Sequence, residues 1–340
     1  RQIMKRIVYF DYLRIIAIFA VVFLHATAPT LYNFNSDYHS WMVGNIFDSL
    51  VRWCVPVFIM VSGALLLNTN REEKLTTFFK KRAAKVVLPF IIWSLIYYFY
   101  RQMRNEDLLS IKDFTKDFLN NDVYFHLWFM YMILGLYLVT PIFRAFVQKS
   151  KAEIIRYFLM LWFLLSFLPI FNHFTSLDMP NYAKAVGQYV GFFVLGYYLN
   201  TYGVNKRLRY VLYGLSIFGF LFTIVGTYFA TLINGGQFDS IFYDYYRPNV
   251  ILEAVGVYLF FQQMAKHKHP QPHKWLIRLS NATFGVYLLH PIIRNFFFQY
   301  IDIQSYTFFT VWLVTVLTVI ISFTVIIIIR RIPILGKVFS

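Results

Sequence analysis

The run at residues 9–28, YFDYLRIIAIFAVVFLHATA, is almost wholly apolar yet carries Arg14 and His25. It predicts a helix. A helix turns about 100° per residue, so eleven residues return to within ~20° of the same face. Arg14 and His25 therefore share one stripe, ~16 Å apart along the axis at ~1.5 Å per residue. That is about half of a ~30 Å hydrocarbon core. Ionisable groups at membrane depth are costly and face a bundle interior or a water-filled cavity. Two on one stripe predict a polar track through the bilayer.

The rest of the chain agrees with a membrane setting. Its 340 residues are 59% hydrophobic and 14% charged, with mean hydropathy +0.54. A soluble domain carries roughly 25% charged residues. Too little polar surface remains to enclose this much apolar side chain, so the expected fold is all-α, a polytopic membrane bundle forming a single domain over residues 1–340. Ten apolar segments are long enough to span or nearly span: 8–31, 45–67, 86–100, 123–143, 157–171, 186–200, 210–233, 250–265, 283–300 and 307–329. Lys and Arg concentrate in alternate connections, at 1–6, 71–85, 144–156, 206–209, 266–278 and 330–337. The positive-inside rule then places both termini in the cytoplasm. It also accounts for most of the net charge of +16 without nucleic acid. The first apolar run is too long for a cleavable signal peptide. Cys54 is the only cysteine, which excludes an intrachain disulfide framework and a multi-cysteine metal site. Between 101 and 122, Leu108, Ile111, Phe114 and Phe118 have near-helical spacing and predict a short amphipathic helix on the outer surface.

Seven residues are candidates for chemistry. His25 falls late in an outward-running segment, where an imidazole suits a general base acting on a hydroxyl. Arg14 lies nearer the inner side, and a buried guanidinium wants phosphate, carbonyls or a carboxylate; Asp11 and Glu253 are the structural alternatives. Arg52 is expected about two turns into the second segment, either paired with Asp48 four residues earlier or stabilising negative charge on an oxygen. His290 precedes Pro291, which removes a helical donor and loosens the backbone beside a cavity. Glu253 is expected to pair with an arginine or touch substrate. Trp128 and Tyr137, on the fourth segment, either contact substrate or pack. His126 and His173 sit at segment edges. His267, His269 and His273 occupy a basic loop with no carboxylate or cysteine beside them, so no metal site is expected.

Taken together, these blocks resemble the membrane-bound acyltransferase family 3, integral O-acyltransferases of bacterial envelope glycans. Arg14, ten residues, then His25 match the first-segment pattern within YFDYLRIIAIFAVVFLH. PVFIMVSGALLL, ending its aromatic run in Ser62 and Gly63, resembles the second segment. FFKKRAAKVVLPFIIW, HLWFMYMILGLYLVTPIF and FGVYLLHPI resemble the third, fourth and ninth. The likeness is nearest to standalone members of the enterobacterial-common-antigen O-acetyltransferase type. It implies a multi-pass protein of the bacterial cytoplasmic membrane that takes an acyl group, acetyl first, from cytoplasmic acyl-CoA to a glycan hydroxyl outside. Arg14 and His290 would then line the inner track, with His25 and Arg52 further out. The implied partners are acyl-CoA, a cell-envelope glycan, membrane lipid and, in a homo-oligomer, further copies of the chain. A glycan transporter or flippase is the competing class, since broken helices around a polar track serve transport too.

Overall fold

The computed structural model describes residues 6–68, 74–105, 109–175, 187–266, 273–300, 308–333 and Gly336. Leu108, Lys184, His267 and His269 lie outside the described residues. Helices follow one another, with no strand among the described residues: α1 Val8–Thr27, α2 Tyr38–Ser49, α3 Cys54–Leu66, α4 Leu75–Arg82, α5 Leu88–Asn105, α6 Ile111–Asn120, α7 Trp128–Lys149, α8 Ala152–Leu165, α9 Leu168–Phe174, α10 Gln188–Thr201, α11 Lys206–Ile233, α12 Pro248–Lys266, α13 Lys274–Phe298 and α14 Phe308–Ile329. Among the described residues, seven helical runs are long and apolar enough to cross a membrane: Val8–Tyr32, Tyr38–Leu66, Leu75–Asn105, Trp128–Lys149, Ala152–Phe174, Lys206–Ile233 and Phe308–Ile329. The three other expected segments are also helical. There α10 has only 14 residues, and α12 and α13 carry more polar side chains.

Helix α1 is central. It packs against α3, α12, α13 and α14, burying Leu13, Ala17, Ile18 and Val21. The second expected segment is broken at residues 50–53 into α2 and α3. Pro56 lacks the N–H that would bond the carbonyl of Arg52, which weakens the helix at that turn. Arg52 therefore sits within the Tyr38–Leu66 run, at the turn that joins its two helices. The third segment is one helical run in which residues 83–87 form a π-turn just before Pro89. Such a bulge adds a residue to the turn and shifts the side chains beyond it. Helix α6 forms where a short amphipathic helix is expected: Phe114 meets Tyr98 edge-on and Phe118 lies tilted against Phe90, whereas Ile111, expected on the same apolar stripe, is 87% exposed.

Helices α3 and α10 touch backbone to backbone. A Cβ on Gly63 would lie 1.8 Å from the Phe193 carbonyl oxygen, and one on Gly196 would lie 1.9 Å from that of Met60. Small residues permit such approach between membrane helices. Gly63→Ala is expected to lower the melting temperature in detergent by roughly 5 °C, since neither carbonyl can yield without moving its helix. Gly135→Ala, where a Cβ meets nothing within 4 Å, should leave it unchanged or raise it. Scanning fluorimetry on both variants checks this.

Candidate active site

Two helices bring the two central histidines together. Both α1 and α13 begin at the end of the bundle where basic residues gather. His25 is 17 residues beyond Val8 and His290 is 16 beyond Lys274, so the two lie ~24–26 Å from those helix starts at ~1.5 Å per residue. His25 Nδ1 lies 2.8 Å from His290 Nε2. The ring planes are 4° apart with centres 5.1 Å apart, so the rings meet edge to edge with the hydrogen bond in both planes. Arg294, one turn beyond His290, donates from Nη1 to the His25 carbonyl at 3.0 Å. Its guanidinium lies over Phe125, whose ring meets the His25 ring edge-on at 5.1 Å. His290 is fully buried; His25 Nε2 makes no hydrogen bond among the described residues.

The expectation that His290 lines the inner track beside Arg14 is corrected here. Helix α13 starts nine residues before the apolar run at 283, which carries His290 outward to the depth of His25. His126, read as a segment edge, also belongs to this centre. Its ring is buried 5.8 Å from that of His290, and neither ring nitrogen has a partner among the described residues.

Below the histidines lies a cavity of about 680 Å³, into which Arg14, Arg82, Lys85, Arg330 and Tyr137 project. No carboxylate lines it among the described residues. Arg14 is half-buried there and makes no ion pair among the described residues. Asp11, its expected structural partner, is instead held by Arg6 at 2.7 Å. Tyr137 lies under the Arg82 guanidinium at 5.5 Å, so this side chain reaches the cavity as well as packing. A smaller chamber of about 240 Å³, bearing Arg278, Arg330 and Arg331, adjoins through Asn281 and Arg330.

Above the histidines lies a second pocket, of about 540 Å³, open and aromatic. Trp128 stacks on Tyr245 with ring centres 5.6 Å apart and planes at 21°, and Tyr189 adds a third ring. Arg52 lines this pocket while pairing with Asp48, the expected structural partner. Asp48 also accepts from Thr27 at 3.1 Å, and the Arg52 guanidinium lies 4.2 Å over the Tyr243 ring. His173, paired with Asp239 at 2.7 Å, also lines it. The carboxylate partner comes from a loop 66 residues away, which no sequence spacing reveals.

Between the two pockets lies a narrow space of about 20 Å³, room for about one water, lined by His25 and His126. Val21, Val55, Phe129 and Tyr287 line both this space and the basic cavity, and Trp128 and Tyr245 line both it and the aromatic pocket. Glu253 is placed elsewhere. It is fully buried on α12 and accepts from Thr223 of α11 at 2.6 Å, with no arginine bonded to it among the described residues. It lines neither pocket.

Fold and site define a many-helix membrane protein with a hydrogen-bonded histidine pair, one of which, His25, lines a narrow space between a basic cavity and an aromatic one. The chain belongs to the acyltransferase family 3, whose acyltransferase domain matches residues 7–331. It is therefore an acyltransferase by family, as its sequence blocks had indicated. It is similar to a Staphylococcus aureus protein named as a probable poly-β-1,6-N-acetyl-D-glucosamine export protein, with 26% identity over 86% of this chain and 83% of the relative. It is also similar to a Bacillus subtilis protein named as a membrane-bound acyltransferase, 23% identical over 72% of this chain and 68% of the relative. The nodulation protein NolL of Sinorhizobium fredii is 25% identical over 43% of this chain and 39% of its own. No solved structure matches the chain.

Proposed function

We propose that the protein is an integral membrane O-acyltransferase moving an acyl group, acetyl first, from cytoplasmic acyl-CoA to a hydroxyl of an extracytoplasmic cell-envelope glycan. The observation that carries this reading is the basic cavity, lined by no carboxylate among the described residues, with His25 lying between it and an aromatic pocket. CoA is a polyanion with a long uncharged arm ending in the thioester. Guanidinium groups hold phosphates in forked hydrogen bonds. Arg82, Arg330 and Arg14 would take the phosphates, and the ~16 Å from Arg14 to His25 gives the arm its course. In the pocket beyond, Trp128 and Tyr245 offer ring faces to a sugar, while Arg52 and Asp239 offer hydrogen bonds. The name of the S. aureus relative, which concerns a polysaccharide, supports a glycan acceptor.

The chemistry follows from this arrangement. His25 takes the acceptor hydroxyl proton as the oxygen attacks the thioester carbonyl. The tetrahedral intermediate collapses, the C–S bond breaks, and the proton passes from His25 to the departing CoA sulfur. Donor and acceptor enter from opposite pockets, so the thioester and the hydroxyl meet beside His25.

The test is acyl transfer by purified protein given labelled acetyl-CoA and a cell-envelope polysaccharide. Wild type should label the acceptor, and His25→Ala should not. Folded wild type that binds no CoA ester would end this reading. A finer expectation concerns the side chamber. Acetyl-dephospho-CoA, lacking the 3′-phosphate, should show a roughly 10-fold higher KM with kcat little changed, and Arg278→Ala with Arg331→Ala should erase the difference. Steady-state kinetics with the two donors decides it. Glycan export is the second reading, favoured by the name of the S. aureus relatives. It requires no CoA binding in the basic cavity.

A further inference from the structure

We infer that His290 is a positioning residue that fixes the tautomer of His25, and that Pro291 in turn fixes that of His290. The kinetic consequence rests on the acyltransferase reading above; the assignment of protons does not.

Helix α13 lacks one backbone donor, at Pro291. In an unbroken helix the N–H of residue 291 bonds the carbonyl of Tyr287. Proline has no N–H, and its ring crowds that carbonyl, which is left to find another partner. His290 supplies it: Nδ1 lies 2.7 Å from the Tyr287 oxygen. A carbonyl only accepts, so Nδ1 of His290 carries the proton, and a neutral imidazole then has a bare Nε2. That bare nitrogen is the one 2.8 Å from His25 Nδ1. His25 must therefore donate from Nδ1. Its own proton is thus committed, and its Nε2 lone pair is left free.

The surroundings favour neutral rings. Arg294 lies one turn beyond His290 on the same helix and bonds the His25 carbonyl, while no carboxylate contacts either ring among the described residues. Helix α13 thereby holds His25 twice, by its backbone through Arg294 and by its ring through His290. The role matches that of the third member in a catalytic triad, which keeps a histidine in the tautomer its base function needs. Here a proline and a second histidine take the place of a carboxylate.

Two kinds of measurement test this on the full-length protein in nanodiscs. Nitrogen-15 spectra of histidine-labelled protein should give both His25 and His290 the Nδ1–H pattern, with assignments from single His-to-Gln variants. In kinetics, His290→Leu removes the acceptor and should lower kcat ~10²-fold with the acyl-CoA KM within ~3-fold of wild type. His290→Gln places an amide oxygen where Nε2 stood and should recover kcat to within ~10-fold of wild type. Pro291→Ala returns a competing N–H to Tyr287 and should lower kcat ~10-fold, yet with a melting temperature no lower, since a proline inside a helix ordinarily weakens it. The inference is overturned if His290 shows the Nε2–H pattern, if His290→Leu keeps wild-type kcat, or if Gln is no better than Leu. Wild type that transfers no acyl group would refute the acyltransferase reading instead, and the spectra would still decide the tautomers.

Discussion

His25→Ala is expected to lower kcat for acyl transfer ~10³-fold while leaving acyl-CoA binding within a few fold of wild type. A positioned general base contributes ~10²–10⁴ to a rate, and a thousandfold loss corresponds to ~4 kcal/mol of transition-state stabilisation. The size follows from geometry. His25 lines the narrow space that shares lining residues with both pockets, and its Nε2 is unengaged among the described residues. Binding should survive because Arg14 lies about three turns from His25 along α1 and the other cations of the basic cavity, Arg82, Lys85 and Arg330, come from other segments. Single-turnover transfer and equilibrium CoA binding, measured on the same preparation, separate the two effects. A variant that binds CoA and acylates at the wild-type rate would remove His25 from the chemistry.

Arg14→Ala is expected to act on the other parameter, raising the acyl-CoA KM or Kd ~30–100-fold. A hydrogen bond to a charged group is worth roughly 1.5–3 kcal/mol, more when desolvated. Arg14 is half-buried, makes no ion pair among the described residues and lines a cavity with no carboxylate among the described residues, so its guanidinium is available to a bound anion. Arg14→Lys should recover only part of the loss, because an ammonium cannot make the forked contact of a guanidinium. Isothermal titration with acetyl-CoA measures it. An unchanged Kd in Arg14→Ala would place the donor elsewhere.

Much of this centre was legible in the chain before any coordinates. The helical repeat alone put Arg14 and His25 on one stripe, and α1 runs unbroken between them. Pro291 marked the place where a helix would yield a backbone acceptor. The pairing of Asp48 with Arg52 followed from their four-residue spacing. What was illegible needed the third dimension. The depth of His290 was misread because apolarity dates the start of α13 from residue 283, whereas its polar first turns begin at Lys274. His126 lies in the connection before α7, and only the packing of that connection on Tyr97 carries it to the centre. Glu253 found Thr223 rather than an arginine because α11 and α12 lie side by side with threonines facing it. The break at 50–53 falls at the turn that Pro56 weakens, within what reads as a continuous apolar run.

The most direct test of the whole account uses sealed proteoliposomes with the basic face outward. Labelled acetyl-CoA is supplied outside and a glycan acceptor is enclosed within. The account predicts label on the enclosed acceptor with wild type and none with His25→Ala, with free CoA accumulating outside in step. Glycan crossing the membrane unacylated, with acetyl-CoA untouched, would contradict it.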